Sequence, residues 1–178
     1  LIYLIDDSII IRDIIEEDAA ALFSWRIDKE INKFDLRPTP DNITELLEQC
    51  NDFYTIFSDQ IMPVNHVDKK YFYFMITDTV GMPVGCVNFF NINKEKKQGE
   101  LGVTIGERSY RKRGIAFKAV EFVVSYIFKN MDIKRIFIET GETNLPSLKL
   151  FSKLGFKKCG EYIEENDFRF IVMEIRKM

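Results

Sequence analysis

Between an apolar run, Gly99 to Gly106, and a long helical pattern, Gly114 to Asn130, the chain places Arg111-Lys112-Arg113-Gly114-Ile115-Ala116-Phe117. A cationic, glycine-containing turn thus opens directly onto a helix N-terminus. First-turn N–H groups and the positive end of the helix dipole point into such a turn, and Gly114 has no side chain to hold an anion off the backbone. The order strand, turn, amphipathic helix restricts the chain to folds in which a strand runs straight into a helix with one buried side. It also marks the turn as an anion cradle, with a phosphorylated cofactor as the first candidate.

The flanking segments extend the pattern. Ser8 to Ile14 reads as a strand, and Glu16-Glu17-Asp18 supplies an acidic start for a helix carrying Ala19, Leu22, Phe23 and Ile27. Thr39-Pro40-Asp41 predicts a second helix start, with Thr39 as N-cap and Pro40 in the first turn, ending near Phe57. Ser58 to Lys70, with Pro63 and the single histidine, His66, has no period and reads as a loop. Tyr71 to Thr77 and Pro83 to Ile92 are aromatic and β-branched, joined by a turn at Asp78 to Met82, and Gly99 to Gly106 follows as a third antiparallel strand. Ile115, Ala119, Phe122, Val123, Tyr126 and Ile127 make one apolar helix face. Ile133 to Thr140 is a strand, Pro146 to Leu154 a short helix closed by Gly155, and Phe156 to Glu165 pairs with Phe168 to Arg176 around Asn166-Asp167.

Composition sets the frame for these elements. With 178 residues, 46% of them hydrophobic, one sizeable core and a single domain over 1–178 are expected. A net charge of -3 argues against nucleic acid as a partner, whereas the stretch Glu107 to Lys118 is locally basic, which suits one small polyanion. Cys50, Cys86 and Cys159 are odd in number and far apart, so neither a disulfide framework nor a metal site is suggested; they read as buried core thiols in a reducing cytoplasm. The apolar run Leu1 to Ile15 is broken by Asp6, Asp7, Arg12 and Asp13 and lacks a basic leader, so no signal peptide, membrane span or membrane partner is expected. It begins at Leu1 rather than Met, which leaves room for preceding residues.

Four motifs occur in order: Glu100-Leu101-Gly102-Val103-Thr104-Ile105-Gly106, the turn Arg111 to Ala116, Ile136-Phe137-Ile138-Glu139, and the run from Asn144 through Pro146, Ser147 and Phe151 to Gly155-Phe156. Together they resemble the GNAT superfamily of N-acetyltransferases, and most closely its ribosomal-protein N-terminal acetyltransferase branch, over roughly residues 8 to 176. The resemblance implies an α+β fold, a mixed, mostly antiparallel sheet of about seven strands flanked by helices. The strands beginning near Gly99 and Ile133, fourth and fifth in that count, would splay apart around acetyl-CoA as cosubstrate, with no metal. It further implies that Thr104 and Ile105 offer backbone groups to the pantetheine arm. The amides from Arg113 through Gly114 and Ile115 to Ala116 would hold the pyrophosphate, and Arg111, Lys112 and Arg113 would add charge-assisted bonds. The alternative for each basic residue is a solvated turn. Asn144 would contact the cofactor, although asparagine there is equally a natural helix cap.

Acetyl transfer to an amine needs a neutral nucleophile, a polarised thioester and a place for the departing thiolate. Glu139 and Glu100 are the candidate general bases, each with the alternative of an exposed or ion-paired strand glutamate. Phe151 stands where many relatives carry a tyrosine that protonates the thiolate; Tyr162, Ser147 or water could substitute, or the thiolate could leave unassisted. His66 lies in no nucleophile motif, so a hydrolase triad is not expected. Trp25 and Phe34 fall near where the superfamily receives acceptors. The expected activity is direct transfer to a primary amine in a ternary complex, the acceptor being a protein N-terminus. Alternatives are a polyamine, aminoglycoside or amino sugar, favoured by a strongly acidic acceptor cleft, or a non-catalytic acyl-CoA-binding module that lost its proton donor. The chain is expected as a monomer or homodimer.

Overall fold

The computed structural model describes residues 1–62, 69–164 and 167–177. Among these, the order is β1 (Ile2–Ile5), β2 (Ile10–Asp13), α1 (Asp18–Ile27), α2 (Ile43–Ile56), β3 (Phe72–Thr77), β4 (Pro83–Asn93), β5 (Gln98–Ile105), α3 (Ile115–Asn130), β6 (Arg135–Gly141), α4 (Leu145–Lys153), β7 (Lys157–Ile163) and β8 (Arg169–Arg176). One sheet contains all the described strands in the order β1-β2-β3-β4-β5-β6-β8-β7. Every neighbouring pair is antiparallel except β5 and β6. This is the expected mixed, mostly antiparallel α+β architecture.

Strand alternation divides the core into two layers. In β3, Phe74 and Ile76 point to the face covered by α3, where they pack with Val87 and Phe89 of β4 and with Ala119, Val123 and Ile127. Met75 between them, and Cys86 of β4, face the opposite side and meet Leu22 and Trp25 of α1 and Phe53 of α2. Helices therefore cover both faces, and the sheet is the wall that separates them.

Two expectations about the first third of the chain need correction. The sheet has an eighth strand, because Leu1 to Ile15 is not one run but a hairpin: Asp6 Oδ1 accepts hydrogen bonds from the Ser8 and Ile9 amides at 2.7 and 2.8 Å and turns β1 back onto β2. Asp6 and Asp7, which looked like interruptions, are the turn. The second helix starts later than Thr39-Pro40 indicates. Asn42 is its N-cap, its Oδ1 accepting from the Glu45 amide at 3.0 Å while the Glu45 carboxylate accepts from the Asp41 amide at 2.9 Å. These bonds satisfy one first-turn donor and the amide just before the cap, which Thr39 cannot do from its position. Beyond Ile56 the helix widens into a π-helical turn, Phe57–Ile61. Pro63, His66 and Asn166, to which the sequence assigns loop and turn positions, lie outside the described residues.

The elements around the sheet's β2 end are tied by one ion pair. Arg12 of β2 donates through both terminal nitrogens to the Asp18 carboxylate at 2.7 and 2.8 Å, and Asp18 also accepts from the Ile15 amide at 2.9 Å. Asp18 is 1% exposed. A bidentate pair this deep fixes the start of α1 against β2, so removing one member strands the other charge. Asp18→Ala should lower unfolding free energy by about 3–5 kcal/mol in urea titration; a loss within experimental scatter would show that the pair does not hold α1.

Candidate active site

Parallel pairing between β5 and β6 is confined to Gln98 with Arg135, Gly99 with Ile136 and Glu100 with Phe137. Past that point β5 continues to Ile105 paired only with β4, and β6 continues to Gly141 paired only with β8. The facing edges of Leu101–Ile105 and Ile138–Gly141 therefore have no strand partner. At about 3.3 Å of rise per residue, Glu100 to Ile105 spans roughly 16 Å, a length suited to an extended ligand rather than a compact one.

A cavity of about 760 Å3 opens at this divergence. Glu100 and Thr104 of β5, Glu139 of β6, Asn144 and Ser147 at the head of α4, and Phe151 and Tyr162 line one part. Trp25, Arg26, Phe34 and Arg37 line another, with Tyr73 and Cys86 below them. Trp25 and Phe34, singled out in the sequence, therefore both border the cavity. Phe57 and Phe74 are buried core residues away from the cavity, whereas Phe53, also buried, borders it together with Tyr71 and Tyr73.

The two glutamates have different surroundings. Glu100 is raised to about 7, first by burial, against which the Asn91 amide, donating at 2.7 Å, acts, with the charge of Glu139 adding to the rise. A carboxyl so placed is about half ionised at neutral pH. Glu139 accepts the Tyr162 hydroxyl at 2.5 Å. Burial and that bond push the Tyr162 phenol well above its ordinary range, which makes it a weak acid. Asn91 reaches Glu100 from a residue with φ of 48°, where the β4–β5 register shifts. Asparagine tolerates this left-handed geometry better than most residues, but nothing in the sequence pattern marks the contact.

The cationic turn lies beyond the C-terminal end of β5 and does not line the cavity. Arg111 folds it back: its guanidinium donates to the carbonyls of Ile105 and Gly106 at 3.0 and 2.9 Å. Arg111 is therefore engaged with backbone, and the Ile105 carbonyl is taken. Lys112 and Arg113 are exposed, with Arg113 stacked 5.3 Å from the Tyr110 ring centroid. Lys112 and Gly114 have φ of 61° and 78°, so successive amides turn inward as in an anion-binding nest. Gly114 precedes Ile115 with no side chain capping the α3 first turn, and a Cβ at Gly114 would meet no protein atom within 4 Å. The Ile115 side chain is buried in the core, so at the start of α3 the chain presents backbone amides rather than a side chain to the turn. Lys118, counted with the basic stretch, instead bonds Asp6 and Ser8 at 3.1 Å and anchors α3 to the first hairpin.

Asn144 is the helix cap, one of the two readings of it from the sequence. Its side chain accepts from the Ser147 amide at 3.3 Å as the α4 cap, and it borders the cavity. Phe151 is buried against Phe156, with ring centroids 5.1 Å apart. The cysteines depart from the expectation of three core thiols: Cys86 is buried, but Cys50 is half-buried and Cys159 exposed on β7. Burial pushes the Cys86 thiol up to about 12, so although it borders the cavity it supplies no thiolate at neutral pH. Among the described residues no cluster of ligating side chains could hold a metal ion, and no helix is long and apolar enough to cross a membrane.

Comparison with known proteins places this geometry in a family. The family model for the GNAT acetyltransferase domain matches residues 8–157. The chain belongs to the GNAT acetyltransferase family. An N-acetyltransferase 9-like protein of Caenorhabditis briggsae is 39% identical over 98 residues, 52% of this chain and 48% of that protein. The chain spans about half the length of that relative. Among solved structures, spermidine N-acetyltransferase of Vibrio cholerae, in complex with CoA and spermine, superposes with a TM-score of 0.79 at 15% identity, covering 96% of each chain. The ribosomal L7/L12 alpha-N-protein acetyltransferase RimL gives 0.77 at 15% identity, covering 99% of this chain and 94% of its own. At that identity the likeness is one of fold.

Trp25, the only tryptophan, reports on the cavity directly. Its indole N–H donates to Glu107 at 3.2 Å, and a Cβ at Gly106 would fall inside the ring. Gly106→Ala should displace the indole, lower stability by about 1–3 kcal/mol and shift the emission spectrum. An unchanged spectrum and melting midpoint would refute that packing.

Proposed function

We propose that this protein is an acetyl-CoA-dependent N-acetyltransferase that moves an acetyl group to a primary amine by direct transfer in a ternary complex. The observation that carries the reading is the open edge of β5 between an anion nest at Lys112–Gly114 and a half-buried carboxyl at Glu100. On this reading the amides from Arg113 to Ala116 hold the pyrophosphate. Lys112 and Arg113 add charge, Arg111 keeps the nest on the end of β5, and Thr104 and Ile105 border the extended arm. Acetyl-CoA supplies the activated acyl group; the protein orients it and handles protons.

Glu100 is the general base. A carboxyl near 7 is ionised often enough to accept a proton from the attacking amine and basic enough to be useful. Glu139 orients Tyr162 and, by its charge, raises Glu100. Tyr162 does not replace the missing tyrosine at Phe151, because a phenol held against a carboxylate resists giving up its proton. The thiolate leaves without a protein acid, which a thiol near pKa 8.5 allows. Cys86, protonated and buried, offers no covalent detour.

The acceptor we favour is a protein N-terminal α-amine. At pH 7 an α-amine of pKa near 8 is about 10% neutral, whereas an alkyl amine near 10.4 is about 0.04% neutral, so a carboxyl near 7 is matched to the former. The part of the cavity away from the glutamates carries Arg26 and Arg37 against the single carboxylate of Asp35, which disfavours polyamines and aminoglycosides.

Calorimetry should detect saturable acetyl-CoA binding, and Gly114→Trp should abolish it while the circular dichroism spectrum is retained; equal binding by that variant would remove the nest from the cofactor site. Because Glu100 works ionised, kcat/KM should rise with pH through about 7 and again near the acceptor's own pKa. Glu100→Gln should lower kcat/KM by about 10²–10⁴-fold and lose the lower inflection. Glu139→Gln, which removes a negative neighbour, should move that inflection to lower pH. Retention of the lower inflection in Glu100→Gln would transfer the base role elsewhere.

A further inference from the structure

The part of the cavity lined by α1 and the chain after it contains a guanidinium with an unsatisfied N–H. Arg26, on the last turn of α1, borders the cavity, and its Nε is buried without a hydrogen-bond partner. Among the described residues its guanidinium makes no ion pair; it lies 6.0 Å from the Phe53 ring centroid. Burial works against its charge and the nearby charge of Arg37 works in the same direction; Tyr73 and the carboxylates of Asp35 and Asp52 offset this only in part. Arg37 borders the same cavity and is only loosely matched, 3.9 Å from Asp35.

The end of α1 that carries Arg26 is held in place, and Arg37 is exposed on the chain that follows. The Asn32 amide donates to the carbonyls of Trp25, Arg26 and Asp28 at 2.9, 2.9 and 2.8 Å, closing the end of α1 and fixing the chain that leads to Arg37. A half-buried guanidinium with an unpaired N–H costs free energy in the empty site. Two guanidinium forks at one end of a cavity fit a planar oxyanion, and a carboxylate satisfies both the charge and the missing acceptor.

We propose that Arg26 and Arg37 form a carboxylate subsite, so that the acceptor is an amine bearing a carboxylate close to the nitrogen that is acetylated. The proposal rests on the acetyl-transfer reading and adds what that reading lacks, a chemical class for the acceptor. The carboxylate comes either from an acidic side chain within the first residues of a polypeptide or from the α-carboxylate of a free amino acid. With the anion on the arginines, the amine is delivered toward Glu100 at the other part of the same cavity. Both arginines position the acceptor and take no part in proton transfer.

The test compares short peptides that differ only by Glu or Gln at the second or third position, free amino acids against their amides, and spermidine, following CoA release. Wild type should prefer the carboxylate member of a pair by about tenfold or more in kcat/KM, mostly through KM. Glu peptides preferred over Gln peptides identify a polypeptide N-terminus; amino acids preferred over their amides identify a small molecule. Arg26→Gln and Arg37→Gln should each collapse the preference while leaving kcat/KM on the neutral acceptor within about twofold. Arg37 is exposed, so its variant serves if Arg26→Gln fails to fold. Acetyl-CoA binding by calorimetry checks that the donor site is intact in both. Turnover without a carboxylate preference in wild type, or a preference for spermidine, overturns the subsite and leaves the acetyltransferase reading standing. Absence of turnover on every acceptor by protein that binds acetyl-CoA overturns the transfer reading and the subsite with it.

Discussion

Where β5 and β6 stop sharing hydrogen bonds, backbone donors and acceptors along two strand edges lose their protein partners, and the rest of the site is arranged around that break. A strand edge inside a sheet is normally closed by its neighbour, because unpaired N–H and C=O groups away from water are costly. Here each strand stays held on its outer side, β5 by β4 and β6 by β8, so the gap persists without unravelling the sheet. The open edges are satisfied by water or by an extended ligand. Helix α3 must then begin beyond the end of β5, and Arg111, by seizing the Ile105 and Gly106 carbonyls, sets how the nest sits relative to the gap.

The break also accounts for the electrostatics. Glu100 occupies the last paired position before the strands part, so it is half-buried by the sheet yet borders the cavity. Its neighbours Asn91 and Glu139 act in opposite senses on its charge, and burial prevails. A carboxyl of raised pKa thus stands at the divergence, a nest-like cationic turn lies beyond one strand end outside the cavity, and two arginines border the part lined by α1 and the chain after it. Such a layout separates the groups proposed to hold the donor, take the proton and select the acceptor onto different elements, all fixed by the same sheet.

Much of the fold was legible because it rests on local patterns. Alternation in Tyr71–Thr77 and Pro83–Ile92, the turn at Asp78, the apolar face of α3 and Gly155 after α4 each depend on residues a few positions apart. The misreadings have the same origin. Thr39-Pro40 is as good a local helix start as Asn42, and only the reciprocal Asn42–Glu45 contacts decide between them. The hairpin at Asp6 was hidden because an acidic pair inside an apolar run resembles an interruption as much as a turn. Cys159 alternates onto an exposed face of β7, which composition alone does not reveal.

For the site, sequence by itself determined the ingredients whose chemistry is carried by backbone shape: a glycine able to adopt positive φ after a basic run, an asparagine before a proline-started helix, and glutamates on two strands. Those signals are short-range, so order along the chain suffices to read them. Tertiary structure decided the rest. It assigned Arg111 and Lys118 to structural contacts, raised the pKa of Glu100, paired Tyr162 with Glu139, and brought Arg26 and Arg37 to the cavity. These depend on burial and on charges from elements far apart in the chain, and neither quantity exists until the sheet and its two helical layers have formed.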